Sequence, residues 1–476
     1  MDFEPVIGLE IHAQLLTETK IFCGCSTNFS SPPNSNICPV CLGLPGALPV
    51  LNQRVVEYGI RAGLALGCSI QEESVFARKN YFYPDLPKGY QISQYEEPLA
   101  IKGRVEYLTS GREICVRINR VHLEEDAGKS VHQGAHTTSL DYNRSGVPLI
   151  EIVTEPDIYS SSDAADFFGR LRGVLCAVGI NDGNMEEGSL RCDANVSMRQ
   201  VGVKELGVKV EIKNINSFKF LEKAIDYECF RQSEILSSGE LIDQETRLWD
   251  ATTGRTESMR SKEEAHDYRY FPEPDIPTLI VAEALVDDIR KVMPELPEER
   301  KQRFIKEFEI AEDAAGWLTQ AQGLANYFEE LARQSQNPVA SGNWMMGTVR
   351  RYLNEHSADI DDFKIDPSEL AKLIQLVDSG VISGSAAKTV FSKMAETGAN
   401  AESIVEDEGL KQIADEDVLS LAVESVLKGN SEAVETYRSG KEGVLGFLVG
   451  KVMKETQGKA NPKLARDLLK ARLSSE

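Results

Sequence analysis

A change of hydrophobic periodicity near residue 294 divides this chain of 476 residues into two parts. Before it, short runs alternate polar and apolar residues, as in VIGLEIHAQL and CVRINRVHL, which is typical of β-strands. After it, Pro297, Glu298 and Glu299 have the composition of a first helical turn, and a 3.6-residue periodicity continues almost to the end. The sequence therefore predicts an α+β fold, with a large strand-rich N-terminal domain followed by an all-helical C-terminal region.

Local signals predict finer divisions of both parts. Two helices are predicted inside the strand-rich part, over residues 53–66 and 162–178, the second capped by Ser161 or Ser162. In the helical part, the small and acidic residues near 399–410 indicate a second boundary. The predicted domains are therefore residues 1–293, 294–405 and 406–476.

Charge and hydropathy restrict the classes of function. The chain has 75 acidic and 52 basic side chains, a formal net charge of −23. Unspecific nucleic-acid binding requires Lys and Arg to neutralise phosphates, so this balance excludes a protein that coats duplexes indiscriminately. The N-terminal residues lack the pattern of a signal peptide, and no apolar run approaches the roughly 18 residues of a membrane span. We expect a cytoplasmic location.

Four cysteines are clustered in the loop of residues 22–42. Cys23 and Cys25 form a C-x-C pair, and Cys38 and Cys41 form a C-x2-C pair. Two close pairs of thiolates are typical of a tetrahedral structural Zn2+ site, and four ligands leave no open position for catalysis. The alternative is four reduced, partly buried thiols. The remaining cysteines are scattered and are interpreted as small core residues: Cys68, Cys115, Cys176, Cys192 and Cys229.

Carboxylates interrupt several apolar strands of the first part. Glu10 and His12 share a face of the first predicted strand, because residues two apart in a strand point the same way. Glu151 lies between Leu149-Ile150 and Ile152-Val153, where an ionised carboxylate is costly unless it is paired or metal-bound. Any single one of these acids is ordinarily on a solvent face. As a set, oxygen ligands with one imidazole favour Mg2+ or Mn2+; the further acids are Glu124, Glu125, Asp193 and Glu211.

Basic residues in the same segments provide the opposite charge. Mg2+ that bridges phosphate oxygens is typical of phosphoryl transfer from a nucleotide, and cations then hold the phosphates. The candidate phosphate- or substrate-binding residues are Arg78, Lys79, Lys88, Arg191, Lys213 and Arg269.

The C-terminal segment reverses the overall charge. Residues 438–472 contain nine basic and three acidic side chains, a local net charge of +6. A solvated basic face and an RNA-binding face are both compatible with this pattern. The candidate RNA-binding residues are Lys451, Lys454, Lys459, Lys463, Arg466 and Lys470.

Seven motifs resemble, in order and spacing, the B subunit of the aspartyl/glutamyl-tRNA amidotransferase. They are VIGLEIHAQL, RKNYFYPDLPKGYQISQ, HLEEDAGKS, LIEIVTEPD, MEEGSLRCDANVS, EIKNINSF and DYRYFPEPD. The resemblance extends from Val6 to the C-terminus. It implies a catalytic cradle domain with a zinc loop, a helical domain, and a YqeY-like tail that contacts tRNA.

The resemblance also implies the reaction and its residues. The expected enzyme is a carbon–nitrogen ligase that uses ATP and Mg2+ to phosphorylate the side-chain carboxylate of Glu-tRNA(Gln), and of Asp-tRNA(Asn) in some cells. Ammonia from glutamine then gives the amide. Carried over to this sequence, His12, Glu125 and Glu151 are the principal Mg2+ ligands, with Glu10, Glu124, Asp193 and Glu211 around them and Lys79 among the catalytic groups.

The implied partners are an amidase, which is the A subunit of the enzyme, and a small C subunit, which completes a heterotrimer. This agrees with the sequence, in which no Ser-Ser-Lys amidase signature is found. Two alternatives remain open. A non-catalytic tRNA-binding scaffold would leave acids in apolar strands unexplained, and a free-standing metallohydrolase would not need the basic tail.

Overall fold

The computed structural model of the protein describes residues 2–109, 111–132, 137–261, 268–412, 416–439, 441–456 and 460–474. The chain divides into two compact units, Met1–Glu299 and Arg300–Glu476. The first unit is rich in strands and the second is helical, which confirms the predicted α+β fold class.

The first unit contains short and long strands with four helices between them, counted over the residues described. Its strands are β1 (Phe3–Gln14), β2 (Ser69–Ile70), β3 (Glu73–Ser74), β4 (Phe76–Asn80), β5 (Tyr90–Gln94), β6 (Ala100–Thr109), β7 (Arg112–Glu125), β8 (Lys129–His132), β9 (Thr138–Asp141), β10 (Pro148–Thr154), β11 (Leu190–Gln200), β12 (Val210–Ile215), β13 (Glu245–Asp250), β14 (Arg255–Ser261), β15 (Phe271–Pro272) and β16 (Leu279–Ile280). Its helices are α1 (Gln53–Ala65), α2 (Ser161–Ala177), α3 (Phe218–Ser237) and α4 (Glu283–Lys291).

The largest sheet has nine strands within the described residues, in the order β14–β13–β12–β11–β1–β10–β7–β6–β2. β1 lies at its centre and is antiparallel to both β10 and β11. β12 and β13 are parallel, and α3 supplies the crossover that a parallel pair requires. Three smaller sheets are formed by β15–β4–β5, β16–β3 and β8–β9.

The central strand separates an apolar face from a polar face. Ile7, Leu9 and Ile11 of β1 are buried and belong to one hydrophobic core with residues of α2 and α3. Because successive side chains of a strand point to opposite faces, Glu10 and His12 lie on the other face of the sheet. This alternation places the chemically active side chains of β1 together, away from the core helices.

The helix predictions of the first unit are confirmed for α1 and α2 and incomplete otherwise. The N-cap of α2 is Ser160, whose Oγ accepts a hydrogen bond from the Asp163 N–H at 3.0 Å, so the prediction of Ser161 or Ser162 is wrong by one or two positions. The predictions missed α3 and α4. The buried side of α3 includes Glu228 and Gln232, and these polar residues interrupt the apolar periodicity by which a helix is recognised.

The second unit is helical. A helix begins at Pro297, as predicted, in the last residues of the first unit and continues into the second. The helices are α5 (Pro297–Phe308), α6 (Glu312–Leu318), α7 (Gln322–Ser335), α8 (Pro338–Trp344), a π-helical turn (Met345–Val349), α9 (Arg350–His356), a 3-10 turn (Ile360–Asp362), α10 (Pro367–Asp378), α11 (Gly384–Thr397), α12 (Ala401–Asp407), α13 (Glu416–Gly429), α14 (Ser431–Arg438), α15 (Val444–Glu455) and α16 (Pro462–Ser474).

Two hydrophobic clusters stabilise this unit, one with members between Phe304 and Val405 and one with members between Leu419 and Leu473. The predicted domain limits at residues 293 and 405 stay predictions. No helix among the described residues is both long enough and apolar enough to cross a bilayer.

Candidate functional site

A row of polar side chains crosses four neighbouring strands on the polar face of the large sheet. His12 of β1 is directly opposite Glu151 of β10 on one side and Arg191 of β11 on the other. Glu151 is in turn opposite His122 of β7. Directly opposite residues in antiparallel strands have Cβ atoms about 4.5–5.5 Å apart, so these side chains interact across the row. The order Arg191–His12–Glu151–His122 is therefore set by strand register.

Three donors converge at the centre of this row: His12, Glu124 and Glu151, which we call the triad. Their ligand atoms all lie within 4.8 Å of one another. His12 Nε2 is 3.5 Å from Glu124 Oε1 and 3.5 Å from Glu151 Oε2. These separations exceed the usual length of a charge-assisted hydrogen bond, about 2.7–2.9 Å, and leave space for a shared divalent cation with ligands at about 2.0–2.2 Å. The donor set of two carboxylates and one imidazole fits Mg2+ or Mn2+.

The electrostatics of the triad favour a cation. Burial raises the pKa of Glu151, but His122 and His12 outweigh this effect and hold it well below its ordinary value. Burial lowers the pKa of His12, but Glu151 and Glu124 raise it further than burial lowers it. Glu151 is thus ionised at neutral pH, and the imidazole of His12 holds a proton more firmly than an ordinary histidine. A metal ion that binds here would replace that proton, because only the neutral imidazole is a ligand.

A second acidic group lies beside the triad on β1, β11 and β12. Asp193 is directly opposite Glu10, and Glu211 is opposite Asn195. Lys213 Nζ donates to Asp193 at 2.7 Å and lies 2.9 Å from Glu211 Oε1. Burial, followed by the charges of Glu151 and Glu211, raises the pKa of Glu10. The structure thus brings Glu10, Asp193 and Glu211 together, but the ammonium of Lys213 occupies this group.

Glu125 lies apart from the triad. It forms an ion pair with Lys88, and its Oε1 accepts a hydrogen bond from the Ile92 N–H at 2.9 Å. Glu125 and Lys88 line a cavity of about 120 Å3 together with Lys20, Cys23 and Cys41 of the cysteine loop. Its neighbour Glu124 carries the carboxylate that reaches His12, so the structure does not bring Glu125 into the cluster predicted for it.

The predicted phosphate-binding cations have different surroundings. Arg191 Nη2 lies 3.1 Å from Asp126 Oδ2, next to His12. Burial lowers the pKa of Lys79, but Glu124, Tyr270 and Glu151 raise it above the ordinary value, and its Nζ lies 5.0 Å from the Tyr268 ring centroid. These two cations therefore border the triad.

Arg78 and Arg269 lie differently. Arg78 makes two hydrogen bonds to Glu273, at 2.6 and 2.8 Å, which engage its guanidinium within the protein. Arg269 is exposed, its backbone has a φ of +43°, and its carbonyl accepts a hydrogen bond from Asn80 Nδ2 at 2.9 Å.

The cysteine quartet, Cys23, Cys25, Cys38 and Cys41, is assembled as predicted, with all four Sγ atoms within 4.8 Å of one another. The Cys38 N–H donates to Cys41 Sγ at 3.1 Å. Hydrogen bonding from the Cys23 thiol lowers the pKa of Cys41 to about 4, and burial is the main cause that raises the pKa of Cys25 to about 11. Four sulfur donors in this arrangement fit a tetrahedral Zn2+ with no open position.

Four of the candidate RNA-binding residues, Lys454, Lys463, Arg466 and Lys470, are exposed. Lys463, Arg466 and Lys470 of α16 are exposed, whereas Ala465, Leu469 and Leu473 of the same helix are buried. In α15, Lys454 is exposed and Lys451 Nζ lies 5.2 Å from the Phe447 ring. Lys459 lies outside the described residues. The predicted cationic face of α16 is therefore present.

Comparisons with known proteins place this geometry in a family. A model described as the GatB/GatE catalytic domain matches residues 5–287, and one described as the GatB domain matches residues 326–473. The B subunit of the aspartyl/glutamyl-tRNA(Asn/Gln) amidotransferase from Thermodesulfovibrio yellowstonii is 54% identical over 98% of this chain and 99% of its own. The chain belongs to this B-subunit family.

Other members of the B-subunit family are similar over the same extent. The proteins of the same name from Caldanaerobacter subterraneus and Prosthecochloris aestuarii are 53% and 52% identical. The first alignment covers 100% of both chains, and the second covers 99% of this chain and 98% of the relative. The resemblance drawn from the seven motifs is thereby confirmed.

The predictions from the sequence missed three residues that the structure places beside the predicted site residues. His122 contacts Glu151, Asp126 contacts Arg191, and the fully buried Lys20 donates to the Asn36 carbonyl at 2.8 Å. A signal existed for His122, because it precedes Glu124 by two residues and must share its face. No local sequence pattern identifies Asp126 or Lys20, because their hydrogen-bond and ion-pair partners are distant in the sequence.

Proposed function

We propose that this chain is the B subunit of a tRNA-dependent amidotransferase, a carbon–nitrogen ligase that phosphorylates the side-chain carboxylate of Glu-tRNA(Gln), and of Asp-tRNA(Asn) where that substrate occurs. The names of the full-length relatives support this role. The observation that carries the proposal is the triad of His12, Glu124 and Glu151, bordered by the cations Lys79 and Arg191.

The proposed reaction has two balanced steps. A carboxylate oxygen of the aminoacyl group attacks the γ-phosphorus of ATP, the bond to the β,γ-bridging oxygen breaks, and ADP leaves with the electron pair. The nitrogen of ammonia then attacks the acyl carbon, and phosphate leaves while a proton is released. Activation is necessary because oxide is a poor leaving group from a carboxylate.

The side chains counteract the repulsion between anionic reactants. His12, Glu124 and Glu151 would hold Mg2+, which when bound neutralises charge on the transferring phosphoryl group. Lys79 retains its proton because Glu124 and Glu151 raise its pKa, so it offers a fixed positive charge. Asp126 holds Arg191 beside His12, where the Arg191 guanidinium adds a second fixed positive charge.

Several further assignments belong to the same proposal. Ammonia comes from the amidase, the A subunit, and a small C subunit completes the heterotrimer. The cysteine quartet holds a structural Zn2+, which clamps the loop of residues 22–42. The three domains are those predicted from the sequence, the tail of residues 406–476 binds tRNA, and the complex works in the cytoplasm.

A reconstituted heterotrimer tests the catalytic role with Glu151→Gln. The variant should form ADP from ATP and Glu-tRNA(Gln) more than about 100-fold more slowly. Removing a residue that only hydrogen-bonds to a metal ligand already lowers metal affinity or activity about 10- to 100-fold, and Glu151 is a proposed ligand itself. Glu155→Gln is the control, because Glu155 accepts a hydrogen bond from Asn119 Nδ2 at 2.7 Å and is outside the triad. Full amidation by Glu151→Gln, with ATP and glutamine supplied, would support the scaffold alternative instead.

A further inference from the structure

His122 is a buried imidazole that no part of the proposed mechanism uses. It lies in β7, opposite Glu151 of β10, and only 3% of its surface is exposed. Strand alternation puts it on the face of Glu124, two residues further along β7. It therefore lies at one end of the row Arg191–His12–Glu151–His122, which contains two members of the triad.

The polar contacts of this imidazole converge on one nitrogen. His122 Nε2 is 3.2 Å from Glu151 Oε2 and 3.8 Å from Glu124 Oε2. Nδ1 is buried and makes no hydrogen bond to any described residue. A buried polar ring is costly unless its donors are satisfied, so the carboxylates of the triad are what offsets the burial of His122.

These contacts connect His122 to the two carboxylates of the triad, Glu124 and Glu151, and not to the imidazole of His12. Glu124 and Glu151 are on different strands. Nε2 is within hydrogen-bonding distance of Glu151 only, and at 3.8 Å its contact with Glu124 is an electrostatic one. His122 is not among the three residues whose donor atoms lie within 4.8 Å of one another. Outer groups that hydrogen-bond to ligating residues orient them and strengthen metal binding.

We propose that His122 is a positioning residue: its Nε2–H orients Glu151 beside Glu124 so that, with His12, the two carboxylates bind one divalent cation. The inference rests on the proposed function only for the existence of that cation site. His122 itself does not touch the cation or the reacting atoms.

Two substitutions at this position separate positioning from packing. Measured from the backbone, the amide nitrogen of glutamine extends about as far as Nε2 of histidine. The amide nitrogen of asparagine extends only about as far as Nδ1 of histidine. His122→Gln therefore keeps a donor toward Glu151, and His122→Asn removes it while retaining a polar amide. If the ring only fills space, the asparagine variant would not bind the cation more weakly than the glutamine variant.

The experiment measures Mn2+ binding to the reconstituted heterotrimer by electron paramagnetic resonance, without substrates. His122→Asn should weaken binding about 10- to 100-fold, and His122→Gln should stay within about 3-fold of the unaltered protein. In the amidation assay, His122→Asn should raise the Mg2+ concentration for half-maximal activity, while kcat at saturating Mg2+ changes far less.

Several outcomes would overturn the inference. Unchanged Mn2+ affinity in His122→Asn contradicts it, as does equal weakening in both variants. If neither variant folds, the electron spin-echo modulation of Mn2+ in the unaltered complex decides: one imidazole nitrogen, that of His12, supports positioning, and two imidazoles show that His122 is a ligand. If the unaltered complex binds no Mn2+, or if Glu151→Gln binds it equally well, the proposed cation site itself is refuted.

Discussion

Glu124 and Glu125 are consecutive residues whose carboxylates lie in different sites. Glu124 Oε1 is 3.5 Å from His12 Nε2, in the row of polar side chains that crosses the sheet. Glu125 pairs with Lys88 and accepts the Ile92 N–H, beside the cavity that the cysteine loop lines. Both carboxylates are nearly inaccessible to solvent, so each depends on its own partners. The end of β7 therefore contributes one acid to each of two separate environments.

This separation predicts different consequences for the two isosteric changes. Glu124→Gln should weaken Mn2+ binding by more than about 100-fold, because a neutral amide replaces a charged donor of the triad. Glu125→Gln should leave Mn2+ affinity within about 3-fold, because its carboxylate does not face His12. Electron paramagnetic resonance of the heterotrimer measures both. Comparable losses of affinity in the two variants would show that Glu125 is also a ligand, as the family resemblance implies.

The sequence predicts the faces of single strands better than the contacts between them. Glu10 and His12 share a face as predicted, because alternation depends only on local spacing. The same alternation places Glu124 and Glu125 on opposite faces of β7. The sequence around them does not show which of the two carboxylates contacts His12. Arg78 shows the limit: its guanidinium binds Glu273, which is 195 residues away, and such a pairing depends on tertiary structure.

The cysteine quartet predicts one tightly bound Zn2+ per chain. Cys38→Ser should abolish zinc retention after dialysis, because a hydroxyl is a poor substitute for a thiolate donor. The measurement is metal content by mass spectrometry, together with proteolytic sensitivity of the loop of residues 22–42. Cys229→Ser is the matched control, since Cys229 lies in α3 and belongs to no metal-binding group among the described residues. Equal zinc content in the two variants would contradict the site.

A buried ionic network on α3, β13 and β14 predicts a pH-dependent contribution to stability. Arg247 Nη1 donates to Glu245 at 2.6 Å, and its Nε lies 3.6 Å from the fully buried Glu228. Burial raises the pKa of Glu245, but hydrogen bonds from Ser258 and Arg247 lower it more, so the pKa is below its ordinary value. The stabilisation is therefore complete above pH of about 4.5 and is lost as the pH falls through the folded-state pKa.

Arg247→Met tests this network. It should reduce the free energy of unfolding by about 1–3 kcal/mol at neutral pH, because Glu228 and Glu245 each lose one cationic partner. The loss is limited because Arg231 remains 2.6 Å from Glu228 and 3.6 Å from Glu245. The difference from the unaltered protein should shrink as the pH falls through the lowered folded-state pKa of Glu245, because the protonated carboxyl no longer needs the cation. Urea unfolding of the full chain, followed by hydrogen exchange in peptides of β13, measures it. The control is Arg255→Met at an exposed position of β14, which should lower the free energy of unfolding by less than about 0.5 kcal/mol. Equal losses of stability in the Arg247 and Arg255 variants would show that the network does not stabilise the fold.

The exposed cations of α16 predict a salt-dependent contribution to tRNA affinity. Lys463, Arg466 and Lys470 occupy one solvent-facing side, whereas the opposite side packs through Ala465 and Leu469. Replacing the three cations by glutamate should weaken tRNA binding at every salt concentration. It should also reduce the slope of log affinity against log salt by about two to three, because each lost phosphate contact no longer releases a counterion.

Filter binding of tRNA to the heterotrimer between about 50 and 200 mM salt measures both quantities. The control is Lys388→Glu, which reverses one exposed charge on α11 and leaves α16 unaltered. Because substitutions at exposed sites of α16 spare the cluster formed by Leu419, Leu448 and Leu469, the tail should remain folded in the triple variant. An unchanged slope in that variant would mean that the basic face is only solvated, and that tRNA is held by other surfaces of the complex.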